Sequence, residues 1–198
     1  MELTYQKTCA LIIVIGSVFF MIAAFSPVSR VFAISDAGKK LELILNERSA
    51  WNISQFFFAA GAAVTVIGLG MTGMIFSNQM NTGLFYFSIT LLAAGTILWA
   101  WHVYLRAIDP QLFTSGEIPI WLFAGYTFLT QAGLILYGMV LLKSGLSVWV
   151  GYMMIGSMIL FFILTIIFRD MPPFVYYIIT LITGVMIWRT DPLLLTQL

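Results

Sequence analysis

The sequence predicts an all-α integral membrane protein, a polytopic bundle of about six transmembrane helices with one amphipathic interfacial segment in the first loop. Three observations support this prediction. Of the 198 residues, 61% are hydrophobic and only 9% are charged, and the mean hydropathy is +1.01. Long apolar stretches recur along the whole chain and are separated by polar links. The ionisable residues are confined to the ends of these stretches and to the links between them.

This composition excludes an ordinary soluble domain, in which roughly 45–50% of residues are apolar and about 25% are charged. A chain so poor in charge cannot cover a water-facing surface, so the excess apolar surface must face lipid. The net charge of +1 produces no overall field that would attract nucleic acid. We therefore expect a single transmembrane domain over residues 1–198, in contact with membrane lipids and without a nucleic-acid partner.

The elements follow from the length of the apolar stretches. Each qualifying stretch has roughly the 20 apolar residues that a helix needs to cross about 30 Å of hydrocarbon, and each is too long and too continuous for a barrel strand. The predicted helices cover residues 8–33, 52–77, 82–106, 119–142, 148–168 and 173–188.

The first stretch resembles a signal peptide, because Lys7 precedes an apolar run and Val31-Phe32-Ala33 resembles a cleavage site. The apolar run is longer than that of a usual signal peptide, which favours a retained helix. In that case Arg30 lies near the helix end, and Pro27 is expected to kink or loosen the last turn.

Two links are long, and the others are predicted turns at 77–83, 143–145 and 169–173. Residues 35–50 interleave charged and leucine-rich positions, which predicts an amphipathic interfacial helix that ends at Trp51. Short links force neighbouring helices to run antiparallel.

The direction of the helices depends first on a charge count. The positive-inside rule places the side with more cations in the cytoplasm, which puts both termini outside. The cations on the side of the long links are Arg30, Lys39, Lys40, Arg48, Arg106 and Arg169, and those on the other side are Lys7, Lys143 and Arg189. The first long link also contains acids, and long links of mixed charge report topology poorly.

The second helix carries a face of small residues. Gly61, Thr65, Gly68 and Thr72 are spaced i, i+4, i+7 and i+11, so they share one face that another helix can approach closely. Two interpretations stay open. The approaching helix belongs either to this chain or to a partner, which would be another membrane protein subunit or a second copy.

The fourth helix has a polar centre at Gln131, with Thr127 and Thr130 one turn away and Tyr126 and Tyr137 on the same helix. One interpretation is a hydrogen bond between helices, since buried amide and hydroxyl groups often join transmembrane helices. The other is a small ligand pocket formed by these five residues.

His102 is the only histidine, and Trp99 and Arg106 share its helix face. One interpretation is a histidine at headgroup level, hydrogen-bonded to Asp109 or Glu117. The alternative is a single axial ligand to haem or chlorophyll, or a quinone contact. A metal site is not expected, because one histidine with scattered carboxylates is a poor ligand set.

The sequence shows no nucleophile elbow, P-loop, zinc-protease motif or Rossmann fingerprint, so we expect a non-catalytic protein without a required cofactor. Few ionisable groups lie at bilayer depth, which argues against an ion-coupled transporter. Three functions stay open. The first is an accessory or structural subunit of a larger membrane complex, which the small-residue faces favour. The second is a protein that binds a small molecule or lipid between helices. The third is a pigment- or haem-binding redox subunit that uses His102.

Residues 137–152 run from a leucine-rich helix end through Lys143 and a small-residue turn to Trp149 and Gly151, which open the next helix. In this pattern the chain resembles a group of small bacterial six-helix membrane proteins of unknown function (DUF4386-like), although Ser147 stands where a proline is expected. The resemblance implies a six-helix fold in a bacterial cytoplasmic membrane and no function. It also implies that the turn at Lys143 is cytoplasmic, so that both termini lie inside, and we take this as the expectation against the charge count.

Overall fold

The computed structural model describes residues 4–76, 82–144, 148–168 and 173–190, and parts of all three predicted turns lie outside these ranges. The described residues are almost entirely helical, and no β-strand occurs among them, which confirms the all-α class. The helices are α1 (Tyr5–Ala24), α2 (Ala37–Asn46), α3 (Arg48–Met71), α4 (Gly73–Phe76), α5 (Thr82–Ile108), α6 (Pro110–Thr114), α7 (Ile120–Leu141), α8 (Val148–Phe168) and α9 (Phe174–Arg189), and Pro27–Ala33 forms a 3-10 segment between α1 and α2.

Among the described residues, five helices are long and apolar enough to cross a bilayer. They are α1, α3 together with α4, α5, α7 and α8. The sixth, α9, has 16 residues, and at 1.5 Å per residue it extends about 24 Å, less than the roughly 30 Å of bilayer hydrocarbon. The chain is therefore a multi-pass membrane protein built as a helix bundle.

The first helix is shorter than predicted, because it ends at Ala24 and not at residue 33. Ser26 has an extended backbone with φ −64° and ψ 151°, which is the conformation favoured before a proline. Pro27 has no N–H to continue the helical bonding, so it ends α1 and opens the 3-10 segment. The expectation that Pro27 only loosens the last turn was therefore wrong, and Arg30 lies outside α1.

The predicted interfacial segment forms α2, but the next helix begins earlier than residue 52. Asp36 caps α2, since its Oδ1 accepts a hydrogen bond from the Lys39 backbone N–H at 2.7 Å. Only Glu47, with φ −113° and ψ 34°, separates α2 from α3. Trp51 consequently belongs to the first turns of α3, and it does not end the interfacial helix.

The six long helices form a ring in which each packs antiparallel against the next. The order around the ring is α1, α3, α5, α7, α8 and α9, and α9 packs again on α1. Gln6 at the start of α1 donates a hydrogen bond to the Ile187 carbonyl at the end of α9, at 2.7 Å. The 3-10 segment, α2 and α6 lie together at the other end of the ring. We call that end the loop end, and the end where α1 begins and α9 finishes the terminal end.

The small-residue face of α3 packs on α1. A Cβ added at Gly61 would lie 2.5 Å from the Phe20 backbone nitrogen, and one at Gly16 would lie 2.4 Å from the Thr65 backbone nitrogen. A Cβ at Gly68 would lie 2.8 Å from a backbone nitrogen of α1. The two backbones are therefore in direct contact, and a helix of the same chain occupies this part of the face.

Candidate functional site

A cavity of about 510 Å³ lies on the axis of the ring at the loop end. Five of the six ring helices contribute to its wall, together with the 3-10 segment, α2 and α6. The lining residues within the described ranges are Phe20, Ala24, Ser29, Phe32, Lys40, Phe58, Trp99, Arg106, Phe113, Phe123, Pro173 and Phe174. Seven of these twelve side chains are aromatic, so the wall is mostly apolar with two cations set into it.

Stacked aromatic rings close the deep side of the cavity. Phe20 stacks on Tyr177 with ring centroids 3.6 Å apart, and Trp99 stacks on Tyr126 at 4.6 Å. Trp99 is fixed from α3 as well, because its Nε1 donates a hydrogen bond to the Phe58 carbonyl at 3.3 Å. These rings separate the cavity from the terminal half of the bundle.

The loop end is covered by a small core of its own. Val28, Val31, Ile44 and Trp51 are fully buried there and join the 3-10 segment and α2 to α3, and Phe113 of α6 packs on them. This layer covers part of the outer side of the cavity, which stays partly open, and its own buried contacts hold the layer in place.

Arg106 is the most unusual member of the wall, because its side chain is only 9% exposed. Its guanidinium carbon lies 4.8 Å from the ring centroid of Phe113, 5.3 Å from that of Phe32 and 5.6 Å from that of Trp99. Aromatic faces attract a cation, but they accept no strong hydrogen bond. The buried Nε has no hydrogen-bond partner among the described residues.

No carboxylate neutralises this charge in the part of the chain that the structure describes. The ion pair found there joins Arg30 to Glu47, and Asp36 and Asp109 accept backbone hydrogen bonds at the starts of α2 and α6. Both ionisable side chains of the described wall, Lys40 and Arg106, are therefore cations set among aromatic rings.

His102 lies beside the cavity wall and is 6% exposed. Its ring stacks on Trp99 at 5.6 Å and lies 5.8 Å from Phe123. Neither ring nitrogen has a hydrogen-bond partner among the described residues, so neither Asp109 nor Glu117 holds it in the predicted way. Its use as a haem or chlorophyll ligand stays a prediction.

Gln55 of α3 lies at the same level of the bundle as His102. The hydrogen bond from Trp51 Nε1 to the Arg106 carbonyl, at 3.0 Å, and the one from Trp99 to Phe58 fix the antiparallel register of α3 and α5 on either side of this level. Gln55 is 2% exposed, and neither its Oε1 nor its Nε2 is paired within the described chain. Buried polar atoms normally have a partner, so the unpaired amide of Gln55 and ring of His102 make this level of the bundle unusual.

The predicted pocket around Gln131 lies elsewhere, in the closed terminal half. Gln131 is 1% exposed, and its Nε2 donates a hydrogen bond to the Tyr176 hydroxyl at 2.8 Å, with Thr165 Oγ1 at 3.4 Å. Tyr126 lies next to it, and its hydroxyl is 3.3 Å from that of Tyr177. These side chains join α7 to α8 and α9 by hydrogen bonds.

Of the other three predicted pocket residues, Thr127 and Thr130 lie close to Tyr176 as Gln131 does, and Tyr137 lies apart from them. Thr130 lines a cavity of about 20 Å³, room for about one water molecule. Thr127 is buried, and its hydroxyl has no partner among the described residues. Tyr137 lies nearer the terminal end, where its hydroxyl is 2.6 Å from that of Thr72, the last residue of the small-residue face.

Sequence reasoning did not identify Arg106 as a site residue, although the shared face of Trp99, His102 and Arg106 was visible. A cation at a predicted helix end normally reaches the headgroups. Here Phe32 and Phe113, from segments far apart in the chain, cover the guanidinium. That burial becomes visible only when the 3-10 segment and α6 are placed over the end of α5.

No group of three or more His, Cys, Asp or Glu side chains lies close enough to hold a metal ion within the described ranges. The resemblance of residues 137–152 to the DUF4386-like group stays a prediction. The chain matches no protein-family model, no curated protein and no solved structure.

Proposed function

We propose that the chain is a ligand-binding membrane protein that holds one small lipid-like molecule in the loop-end cavity. The cavity itself is the observation that supports this proposal. Small-molecule sites in proteins occupy roughly 300–1,000 Å³ and are lined mainly by apolar and aromatic side chains with a few polar groups. The loop-end cavity, at about 510 Å³, has that size and that lining.

Packing energetics support the same proposal. The aromatic rings of the wall offer apolar surface, and covering apolar surface is favourable in proportion to the area removed from water. A lipid-like molecule in the cavity would cover those rings. The guanidinium of Arg106, which lines the cavity, would gain a hydrogen-bond partner from the same molecule.

The proposal is tested by blocking the cavity. Ala24 lines it, so Ala24→Phe should fill part of its volume. Ala50 is exposed in the first turn of α3, so Ala50→Phe adds the same ring outside the cavity. Native mass spectrometry of protein released from mild detergent should show one bound small molecule in the wild type and in A50F, and little in A24F.

The mass spectrum of the wild-type protein can also contradict the proposal. A wild-type protein that carries no bound molecule, and that takes up none from added total membrane lipid, would refute a ligand-binding role. An equal occupancy in A24F and A50F would show that the bound molecule sits elsewhere.

A second candidate function, an accessory subunit or a homo-oligomer, is supported by α8. Tyr152, Leu160 and Ile163 of this helix are 65%, 54% and 48% exposed. A Cβ at Gly156 would meet no described atom within 4 Å, which leaves a shallow place for another helix. Purification in mild detergent should then yield a stoichiometric partner or a dimer. A lone monomer at every detergent concentration would contradict this candidate.

A further inference from the structure

We infer that the ligand of the loop-end cavity is a short amphipathic oxyanion, with a carboxylate or phosphate head held by Arg106 and an apolar tail among the aromatic rings. This inference rests on the proposed ligand-binding function and adds the chemical class of the ligand. Three features of the cavity lead to it: its charge, its free hydrogen-bond donors and its depth.

The charge of the wall selects an anion. Lys40 and Arg106 line the cavity, and no described carboxylate does. An arginine stays protonated in proteins, and a buried charge without a counter-charge is costly. A ligand with an anionic head removes that cost, whereas a neutral ligand leaves it and a cationic ligand increases it.

The free donors select an oxygen-rich head. Arg106 lines the cavity, and no hydrogen bond from its guanidinium to another described residue is found. A guanidinium binds a carboxylate or phosphate through two parallel N–H···O bonds, which a single ammonium group cannot reproduce.

The depth of the cavity sets the length of the tail. Trp99, in the aromatic floor, precedes Arg106 by seven residues of α5, which corresponds to about 10 Å along the helix axis. Phe20 closes the same floor by stacking on Tyr177. The cavity therefore accommodates a short or medium acyl chain, while a chain that spans a full leaflet would have to leave it.

The experiment compares ligands with the same tail and different heads. Wild-type protein in nanodiscs of zwitterionic lipid is titrated with decanoate, decyl phosphate and decanol, and binding is measured by calorimetry. We expect the two oxyanions to bind at least tenfold more tightly than decanol, because a hydrogen bond to a charged group changes affinity by roughly ten- to hundredfold. A higher affinity for decanoate or for decyl phosphate identifies the head.

Variants connect this preference to Arg106. R106Q should lose about ten- to hundredfold in decanoate affinity and little in decanol affinity, and R106K should recover only part of the loss. The matched control is R30Q, which removes a cation at the same end from a side chain that is 63% exposed. R30Q should bind decanoate like the wild type. Circular dichroism and thermal unfolding of every variant show whether it is folded.

The outcomes distinguish a failure of the oxyanion inference from a failure of the cavity proposal. Equal binding of decanoate and decanol, with R106Q unchanged, would overturn the oxyanion inference and leave the cavity proposal intact. Binding of none of the three probes would refute both. Asp170 lies outside the described residues, so D170N is included. If D170N alone creates oxyanion binding that the wild type lacks, Asp170 is the counter-charge of Arg106, and the inference is wrong.

Discussion

The two halves of the bundle differ in how far they satisfy the hydrogen bonds of a buried glutamine. Gln131 in the terminal half and Gln55 in the loop half are both almost fully buried, at 1% and 2% exposure. Gln131 Nε2 donates a hydrogen bond to Tyr176 at 2.8 Å while its Oε1 has no partner, whereas neither polar atom of Gln55 is paired among the described residues. The amide in the terminal half is thus partly satisfied within the chain, and the amide in the loop half is not satisfied at all by described residues.

The difference also appears in how the helices fill the axis. In the terminal half, hydroxyl pairs such as Ser17 with Thr180, at 2.8 Å, and Thr72 with Tyr137, at 2.6 Å, join neighbouring helices across a closed interior. In the loop half the aromatic rings surround a space and do not fill it. Hydrogen bonds between helices therefore join the described terminal half, and we propose that the loop half is the place where a ligand adds stability.

The largest loss of unfolding free energy is expected at the contact between α1 and α3, which support both halves. Gly16→Val places its side chain 2.4 Å from the backbone of Thr65, which is not a movable side-chain tip. Overpacking typically costs about 1–3 kcal/mol, and backbone contact places this variant at or above the upper limit. SDS titration in mixed micelles measures the loss of unfolding free energy. Gly156→Val is the matched control and should stay close to the wild type; an equal loss in both would mean that backbone contact is not the cause.

The next largest loss of stability distinguishes Gln131 from Gln55. Gln131→Leu removes the bond to Tyr176 and should destabilise the fold by about 1 kcal/mol, within the roughly 0.6–1.7 kcal/mol found for hydrogen bonds between membrane helices. Gln55→Leu removes no described bond and should leave the ligand-free protein as stable or more stable. The same titration checks both variants. A larger loss for Q55L than for Q131L would reverse the comparison.

A smaller effect is expected from the hydroxyl pair at the terminal end. Tyr137→Phe deletes its bond with Thr72, while Thr72 Oγ1 keeps a bond to the Leu69 carbonyl at 2.6 Å. We expect a loss of about 0.5–1 kcal/mol and unchanged decanoate affinity, since the variant lies beyond the aromatic floor. Weaker decanoate binding in Y137F would show that the two halves are coupled.

The smallest effect is expected on the surface of the loop end. Glu47→Gln breaks the ion pair with Arg30, whose side chain is 63% exposed. Exposed pairs of this kind contribute about 0.2–1 kcal/mol and less in high salt. Unfolding at two salt concentrations measures it, and a loss above that of Q131L would contradict the account.

Composition and helix length were enough to predict the all-α membrane class and the approximate bounds of α5, α7 and α8, because a bilayer admits few backbone structures. The end of α1 was misplaced, since an apolar stretch continues past Pro27 although the helix does not. Gln131 was singled out because a lone amide in an apolar helix is conspicuous in a sequence. Whether such an amide is paired or free depends on helices distant in the chain.

Arg106 shows the same limit for the candidate site. Its position at a helix end is that of an ordinary interfacial cation, and its burial results from Phe113, seven residues later in α6, together with Phe32, which is distant in sequence. The same applies to the cavity, because its wall joins segments that span the chain from α1 to α9. The direction of the bundle in the membrane stays a prediction, with both termini inside.

The most direct test of the central claim is an experimental structure of the chain purified in mild detergent, at a resolution that shows bound molecules. The account predicts an elongated ligand in the loop-end cavity, its head within about 3 Å of the Arg106 guanidinium nitrogens, and no organic ligand in the terminal half. A cavity that holds only water, with Arg106 paired to a carboxylate of the chain itself, would contradict it.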